Sequence, residues 1–287
     1  MRYKTLATAV FALALSGFTV AADFKAGEDY ILTGVKSAAS SEKVQVTEFF
    51  GYWCPHCNNF EPLLEKWVEE NAPKMSFNRV PIAFSTKGAN QTLAQQAYFI
   101  GKQANREKAV DSTMFDFYHK YGRLASSFRD LDKIKNDPVA CNAEVSSLIE
   151  NAEKQSAAAN RPFDVAAVTK YLTENVCQTD ENGWALLKLA KDARGSIGNA
   201  QVLKNILDVA NVDTSNFEKR LNSFSMKSAL KSAKNKMQAM GIDSVPTIVV
   251  NDKYRVVSTK GFGHMLEVVE YLVEKEKQEA KDIANKS

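Results

Sequence analysis

Residues 44–50, Val-Gln-Val-Thr-Glu-Phe-Phe, run into Gly51 and then into Cys54-Pro55-His56-Cys57. The first run is β-branched and aromatic and reads as a buried strand. Pro55 suits the first position of a helix, where its missing N–H costs nothing. Phe60, Leu63, Leu64, Trp67 and Val68 then recur at helical spacing, so one face of that helix packs on a sheet. Pro62 lies inside the pattern and predicts a kink. Residues 75–84 read as a second strand. Strand, helix, strand is a βαβ unit, and the paired thiols stand where its first strand hands over to its helix.

The far end of the chain supplies matching pieces. Residues 217–240 read as one or two helices ending at Gly241. Residues 247–250 form a strand, Asn251-Asp252 a tight turn, and 254–257 its hairpin partner. A final amphipathic helix covers about 264–280, with Met265, Val268, Val269 and Leu272 on one face. Between these ends, 87–216 is helical, with shared faces at Leu93, Ala97 and Ile100, at Val110, Met114, Phe117 and Tyr121, and at Val202, Ile206 and Val209. The order predicts an α/β fold interrupted by an inserted α-helical domain.

The N-terminus follows a different logic. Arg2 and Lys4 precede a short uncharged apolar run, which ends in small residues up to Ala21 and Ala22. Basic, apolar, small is the order of a secretory signal peptide, here 1–22. The whole chain carries 37 basic and 34 acidic residues; without the signal the net charge is near +1. That balance argues against nucleic acid as a partner. Lys227, Lys231, Lys234 and Lys236 alternate with apolar residues and read as a solvated helix face.

A C-x-x-C after a strand and at a helix start reads as a redox pair. Cys54 would sit at the helix N-terminus, where unpaired N–H groups and the dipole favour an anion, and His56 adds to that effect. A thiolate so stabilised makes the corresponding disulfide a better oxidant. Two plainer readings compete. Half of a zinc site would need two further ligands, yet there is no second C-x-x-C and His56, His119 and His264 are the only histidines. A structural disulfide is the other. Val245-Pro246-Thr247 reads at its simplest as a strand-entry proline.

Together the strand at 44–50, Cys54-Pro55-His56-Cys57, and Val245-Pro246-Thr247 before a hairpin resemble the DsbA family of periplasmic disulfide oxidases, in the thioredoxin superfamily. The resemblance implies a thioredoxin fold carrying a helical insertion. It implies roles for single positions. Cys54 matches the exposed nucleophile and Cys57 the buried resolving cysteine. His56 matches the residue that stabilises the Cys54 thiolate. Pro246 matches the cis-proline facing the disulfide, with Val245 presenting backbone to a bound peptide. Glu48 matches a buried acid beneath the site that exchanges a proton with Cys57. That acid usually has a lysine partner; Lys74 and Arg79 are nearby, and the sequence favours neither. The resemblance further implies reduced exported proteins as substrates, a DsbB-type membrane quinone reductase as reoxidant, and no metal or organic cofactor.

The expected division is 1–22 signal peptide, 23–86 first thioredoxin-like part, 87–216 helical insertion, and 217–287 second thioredoxin-like part. An additional insertion is expected at about 124–194. Cys141 and Cys177 fall inside it and are each other's only spare partners, so they read as a structural disulfide; a second redox pair is the rival. For the protein as a whole, a reductase or isomerase on the same fold and a non-enzymatic peptide-binding chaperone remain alternatives to the oxidase.

Overall fold

The computed structural model describes residues 24–35, 43–85 and 90–286; the expected signal peptide and the junction at 86/87 lie outside them. A short strand β1 (Tyr30–Leu32) precedes β2 (Val44–Phe50), α1 (Pro55–Asn71) and β3 (Met75–Pro81). β2 and β3 are parallel, with Val44 opposite Met75 and Glu48 opposite Arg79. A parallel pair needs a crossover, and α1 is that crossover.

The helical stretch follows: α2 (Asn90–Gln103), then α3 (Glu107–Phe115), which continues through a π-helical turn (Asp116–Tyr121) into α4 (Gly122–Ser127). Next come α5 (Leu131–Ile134), α6 (Pro138–Ala158) and α7 (Val165–Leu172). A second π-helical turn (Thr173–Cys177) leads to α8 (Glu181–Asp192), α9 (Ala200–Val209), α10 (Phe217–Leu221) and α11 (Phe224–Ala239). Local chemistry starts many of these helices. The side chains of Asp130, Asp137, Asp164, Asp180, Asn199 and Ser223 each accept a hydrogen bond from a first-turn N–H. Cys141 on α6 and Cys177 at the end of the second π turn are joined by a disulfide.

The chain then returns to the sheet with β4 (Thr247–Val250), β5 (Tyr254–Val256) and α12 (Phe262–Ala284). The β4–β5 turn has Asn251 at φ 51° and Asp252 at φ 56°. Two successive left-handed residues are what a tight hairpin turn requires, and Asn and Asp tolerate that region best after glycine. The sheet order is β1-β5-β4-β2-β3, with only β2–β3 parallel.

One face of the sheet, with Val44, Val46, Ile248 and Val250, packs on Phe60 and Leu64 of α1 and on Met265, Val268 and Leu272 of α12. On the other face Phe49, Val80 and Val249 meet Ala233 of α11 and Met240 just beyond it. The helical stretch has its own core, including Val110, Met114, Phe117, Leu187 and Leu203. Phe50, Tyr52, Cys54 and Cys57 belong to that core. The C-x-x-C therefore sits where the thioredoxin sheet and the helical insertion meet.

Some expectations change. Leu63, expected on the buried face of α1, is 42% exposed, because Leu64 takes the inward position beside it. α1 runs through Pro62 as one helix, with the proline on its solvent side. The strand expected at 75–84 stops at Pro81, which can close an edge strand because β3 has no neighbour beyond it. β1 is an addition that the sequence pattern did not reveal. The four lysines of α11 are all exposed.

Candidate active site

Cys54 is the N-cap of α1 and Pro55 its first residue. The Cys54 N–H donates to the Gly51 carbonyl at 2.9 Å, closing the turn between β2 and α1. Gly51 is required there: a Cβ on it would lie 2.6 Å from the Trp53 indole. Cys54 is 5% exposed and Cys57 fully buried, and both are free thiols.

The two sulfurs differ sharply in acidity. The Cys57 thiol donates to Cys54 Sγ and is the largest influence bringing the Cys54 pKa down to about 6; the backbone N–H groups of Cys57 and His56 and the His56 charge add to it, against burial. His56 itself is exposed at the helix start. Burial pushes the Cys57 thiol far up, and the charges of Cys54 and Glu48 push it further. At pH 7 a thiol with a pKa of 6 is present as about ten thiolates per thiol. The pair thus offers one ready nucleophile and one sulfur that keeps its proton.

The Val245–Pro246 peptide bond is cis. It brings the Val245 carbonyl to 3.4 Å from Cys54 Sγ, as an acceptor for the thiol form. Pro246 is buried and Val245 half-buried, in the bend that leads into β4.

Beneath the thiols lies a buried charge cluster. Arg79 Nε donates to Glu48 Oε2 at 2.7 Å. Arg79 Nη1 reaches Glu61 Oε1 and Asp111 Oδ2, both at 2.8 Å, and Nη2 reaches Glu61 Oε2 at 2.6 Å. The Phe50 ring lies under the guanidinium, 4.1 Å from its carbon. Burial works against the Arg79 charge, and the three carboxylates outweigh it. Burial raises Glu48 above the ordinary carboxylate range, Arg79 pulls it back, and Asp111 and Cys54 raise it further. Burial lifts Glu61 to about 7 and raises Asp111 as well. Three carboxyls around one guanidinium do not all ionise together, so the cluster keeps protons near neutrality. Among the described residues Glu48 Oε1 has no hydrogen-bond partner, leaving it able to give or take a proton.

Tyr52, two residues before Cys54, is held from both ends by the helical insertion. Its hydroxyl donates to Asp111 Oδ1. Its carbonyl accepts from His119 Nε2 at 2.6 Å, so that nitrogen carries the hydrogen. His119 lies on the first π-helical turn, and burial lowers its pKa.

A family model described as a DSBA-like thioredoxin domain matches residues 45–268. The chain belongs to this family. Curated relatives named thiol:disulfide interchange protein DsbA include one from Azotobacter vinelandii, 26% identical over 94% of this chain and 93% of its own length. Another, from Pseudomonas aeruginosa, is 25% identical over 96% of this chain and 97% of its own length. The crystal structure of Pseudomonas aeruginosa DsbA superposes with a TM-score of 0.58 at 23% identity, covering 90% of this chain and 97% of that one. The fold is the DsbA-like thioredoxin fold with a helical insertion, and the protein is a thiol–disulfide oxidoreductase acting on substrate proteins.

Of the residues expected at a DsbA-like site, the structure brings together Cys54, Cys57, His56, Val245, Pro246 and Glu48. Cys141 and Cys177 are joined to each other within the helical insertion. The partner of Glu48 is Arg79; Lys74 is exposed and its side chain bonds to Asn71. Register was the missing signal. Once Val44 is set opposite Met75, Arg79 falls directly across from Glu48 on the same face. Asp111 and His119 had no sequence signal, since nothing local ties α3 and its π-helical turn to the turn before Cys54; Glu61 and Tyr52 lie in the strand–helix unit, but their partners Arg79 and Asp111 are remote in sequence.

Proposed function

We propose that this oxidoreductase is a periplasmic disulfide donor working through the Cys54–Cys57 pair. The observation that carries this reading is the unequal placement of the two thiols: Cys54 at the N-cap of α1, its pKa drawn down to about 6, and Cys57 fully buried, its pKa pushed far above the usual thiol range. Stabilising the Cys54 thiolate favours the reduced enzyme. The oxidised form gains nothing from it, so the disulfide is readily passed on.

In this mechanism a substrate thiolate attacks Cys54 Sγ. The Cys54–Cys57 bond breaks, a mixed disulfide joins substrate to Cys54, and the electron pair leaves on Cys57. Glu48, whose burial favours its protonated form, supplies the proton that Cys57 takes up. A second substrate thiolate attacks the substrate sulfur of the mixed disulfide and releases Cys54 as its stable thiolate. His56 favours that anion, and Val245 and Pro246 hold the peptide backbone alongside. Reoxidation runs the thiol steps in reverse on a DsbB-type membrane quinone reductase. Cys141–Cys177 is a structural clasp: closing its loop stabilises by about 3–4 kcal/mol in the chain-entropy account. Replacing both with alanine is expected to lower the melting temperature and leave exchange intact; lost exchange in a folded variant would make the pair a redox relay instead.

Equilibration with glutathione buffers tests the donor reading. The protein, taken from a periplasmic extract and beginning near Ala22 or Asp23, is expected to keep Cys54 and Cys57 reduced until conditions become strongly oxidising. A pair that is already a disulfide in reducing buffer would move the assignment to reductase. A protein recovered with residues 1–22 still attached would overturn the cleaved signal, and one absent from the periplasmic extract would remove the export reading.

A further inference from the structure

We propose that Asp111 is a positioning residue of the redox centre, through which the helical insertion sets the proton affinity of Glu48. The inference rests on the proton-donor reading of Glu48 given above. It starts from the geometry of Arg79. An arginine paired with Glu48 alone would hold that carboxyl as an anion, and an anion has no proton to give Cys57. Here the guanidinium is shared. Nε serves Glu48, while Nη1 is divided between Glu61 and Asp111. Asp111 comes from α3, not from the thioredoxin sheet or α1, and is 8% exposed. The Tyr52 hydroxyl donates to its other oxygen, so two donors favour the aspartate anion against the burial that raises its pKa.

An anion in that place acts on Glu48 in two ways with one sign. It draws on the positive charge that would otherwise serve Glu48, and it repels a second anion directly. Both keep a proton on Glu48, whose Oε1 is unbonded and buried. The groups facing Asp111 are Arg79 from β3, Tyr52 from the turn before α1, Glu61 and Glu65 from α1, Tyr98 from α2, Lys108 from its own helix, and Glu48 from β2. Arg79 is the only cation bonded to it among the described residues; Lys108 lines the same cleft and pairs with Glu69. That cleft, about 280 Å³ between α1, β3 and α3, is lined by Glu61, Arg79 and Asp111, so this side of the cluster faces solvent. The same aspartate ties the insertion to the redox turn through Tyr52, which makes proton affinity and domain contact one feature.

The experiment is the pH dependence of single-turnover oxidation of a dithiol peptide, read by active-site tryptophan fluorescence, for wild type, Glu48→Gln, Asp111→Asn and both together. Glu48→Gln is expected to remove one limb of the profile. Asp111→Asn is expected to move that limb to lower pH by about one unit, the scale of a neighbouring charge, and Asp111→Glu to restore it. Tyr52→Phe, which removes only the hydroxyl supporting the Asp111 anion, is expected to shift the limb the same way by less; it carries the test if Asp111→Asn does not fold. In the Glu48→Gln background, Asp111→Asn is expected to shift nothing. A profile unchanged by Glu48→Gln would overturn the Glu48 reading and this inference with it. A limb that Glu48→Gln removes but neither Asp111→Asn nor Tyr52→Phe moves would overturn the role of Asp111 alone.

Discussion

Cys54→Ser is expected to abolish disulfide transfer, and Cys57→Ser to stop turnover while accumulating covalent adducts. Both follow from where the sulfurs sit. Cys54 caps α1 with its sulfur toward Val245 and carries the low pKa. A serine hydroxyl cannot form a disulfide, so no residual chemistry remains at that position. Cys57 is buried and holds its proton, so it acts only within the pair. Without it, a mixed disulfide formed at Cys54 has no neighbouring thiol to resolve it and waits for an external one. The check is non-reducing electrophoresis of each variant after incubation with reduced substrate and oxidised glutathione. Adducts on Cys57→Ser, and none on Cys54→Ser, are expected. Adducts on Cys54→Ser would make Cys57 the nucleophile and reverse the roles argued from their burial.

The parts of this site that lie within one strand–helix unit are legible in the amino-acid order. A β-branched strand, a glycine and a Cys-Pro pair are local features, and local physics puts the thiol at the helix start. The β4–β5 hairpin is equally legible, because Asn251 and Asp252 accept the left-handed backbone that such a turn needs. What stays hidden depends on long-range pairing. β1 is three residues long and gains its identity only from lying against β5, more than two hundred residues away. Arg79 is visible as a nearby base, but its claim on Glu48 rests on the parallel register. Asp111 and His119 reach the redox turn because α3 packs over it, and a helix on its own does not say what its polar residues will face. Cys141 and Cys177 can be paired by elimination, since a third pair is not available.

Arg79→Met is expected to destabilise the protein by about 3–5 kcal/mol near neutral pH, the cost typical of removing one partner from a buried ion cluster. Methionine keeps the unbranched aliphatic stem and removes the guanidinium that lies over Phe50, so the loss is chiefly electrostatic. Its pH dependence follows from the carboxyls left behind. Glu48, Glu61 and Asp111 already have folded pKa values above their unfolded ones, with Glu61 near 7. A raised carboxyl binds more protons folded than unfolded, so stability is full below the unfolded pKa and falls as pH rises towards the folded one. For Glu61 that window runs from the ordinary carboxylate range to about 7. Without the guanidinium the three folded values rise further and the decline extends to higher pH. The deficit of Arg79→Met against wild type is therefore expected to be small near pH 5 and large near pH 8, by thermal unfolding of the reduced proteins. A deficit that stays constant with pH would assign the loss to packing on Phe50, and Arg79 would then be a structural plug instead of the counter-charge that makes a proton-holding Glu48 possible beneath the thiols.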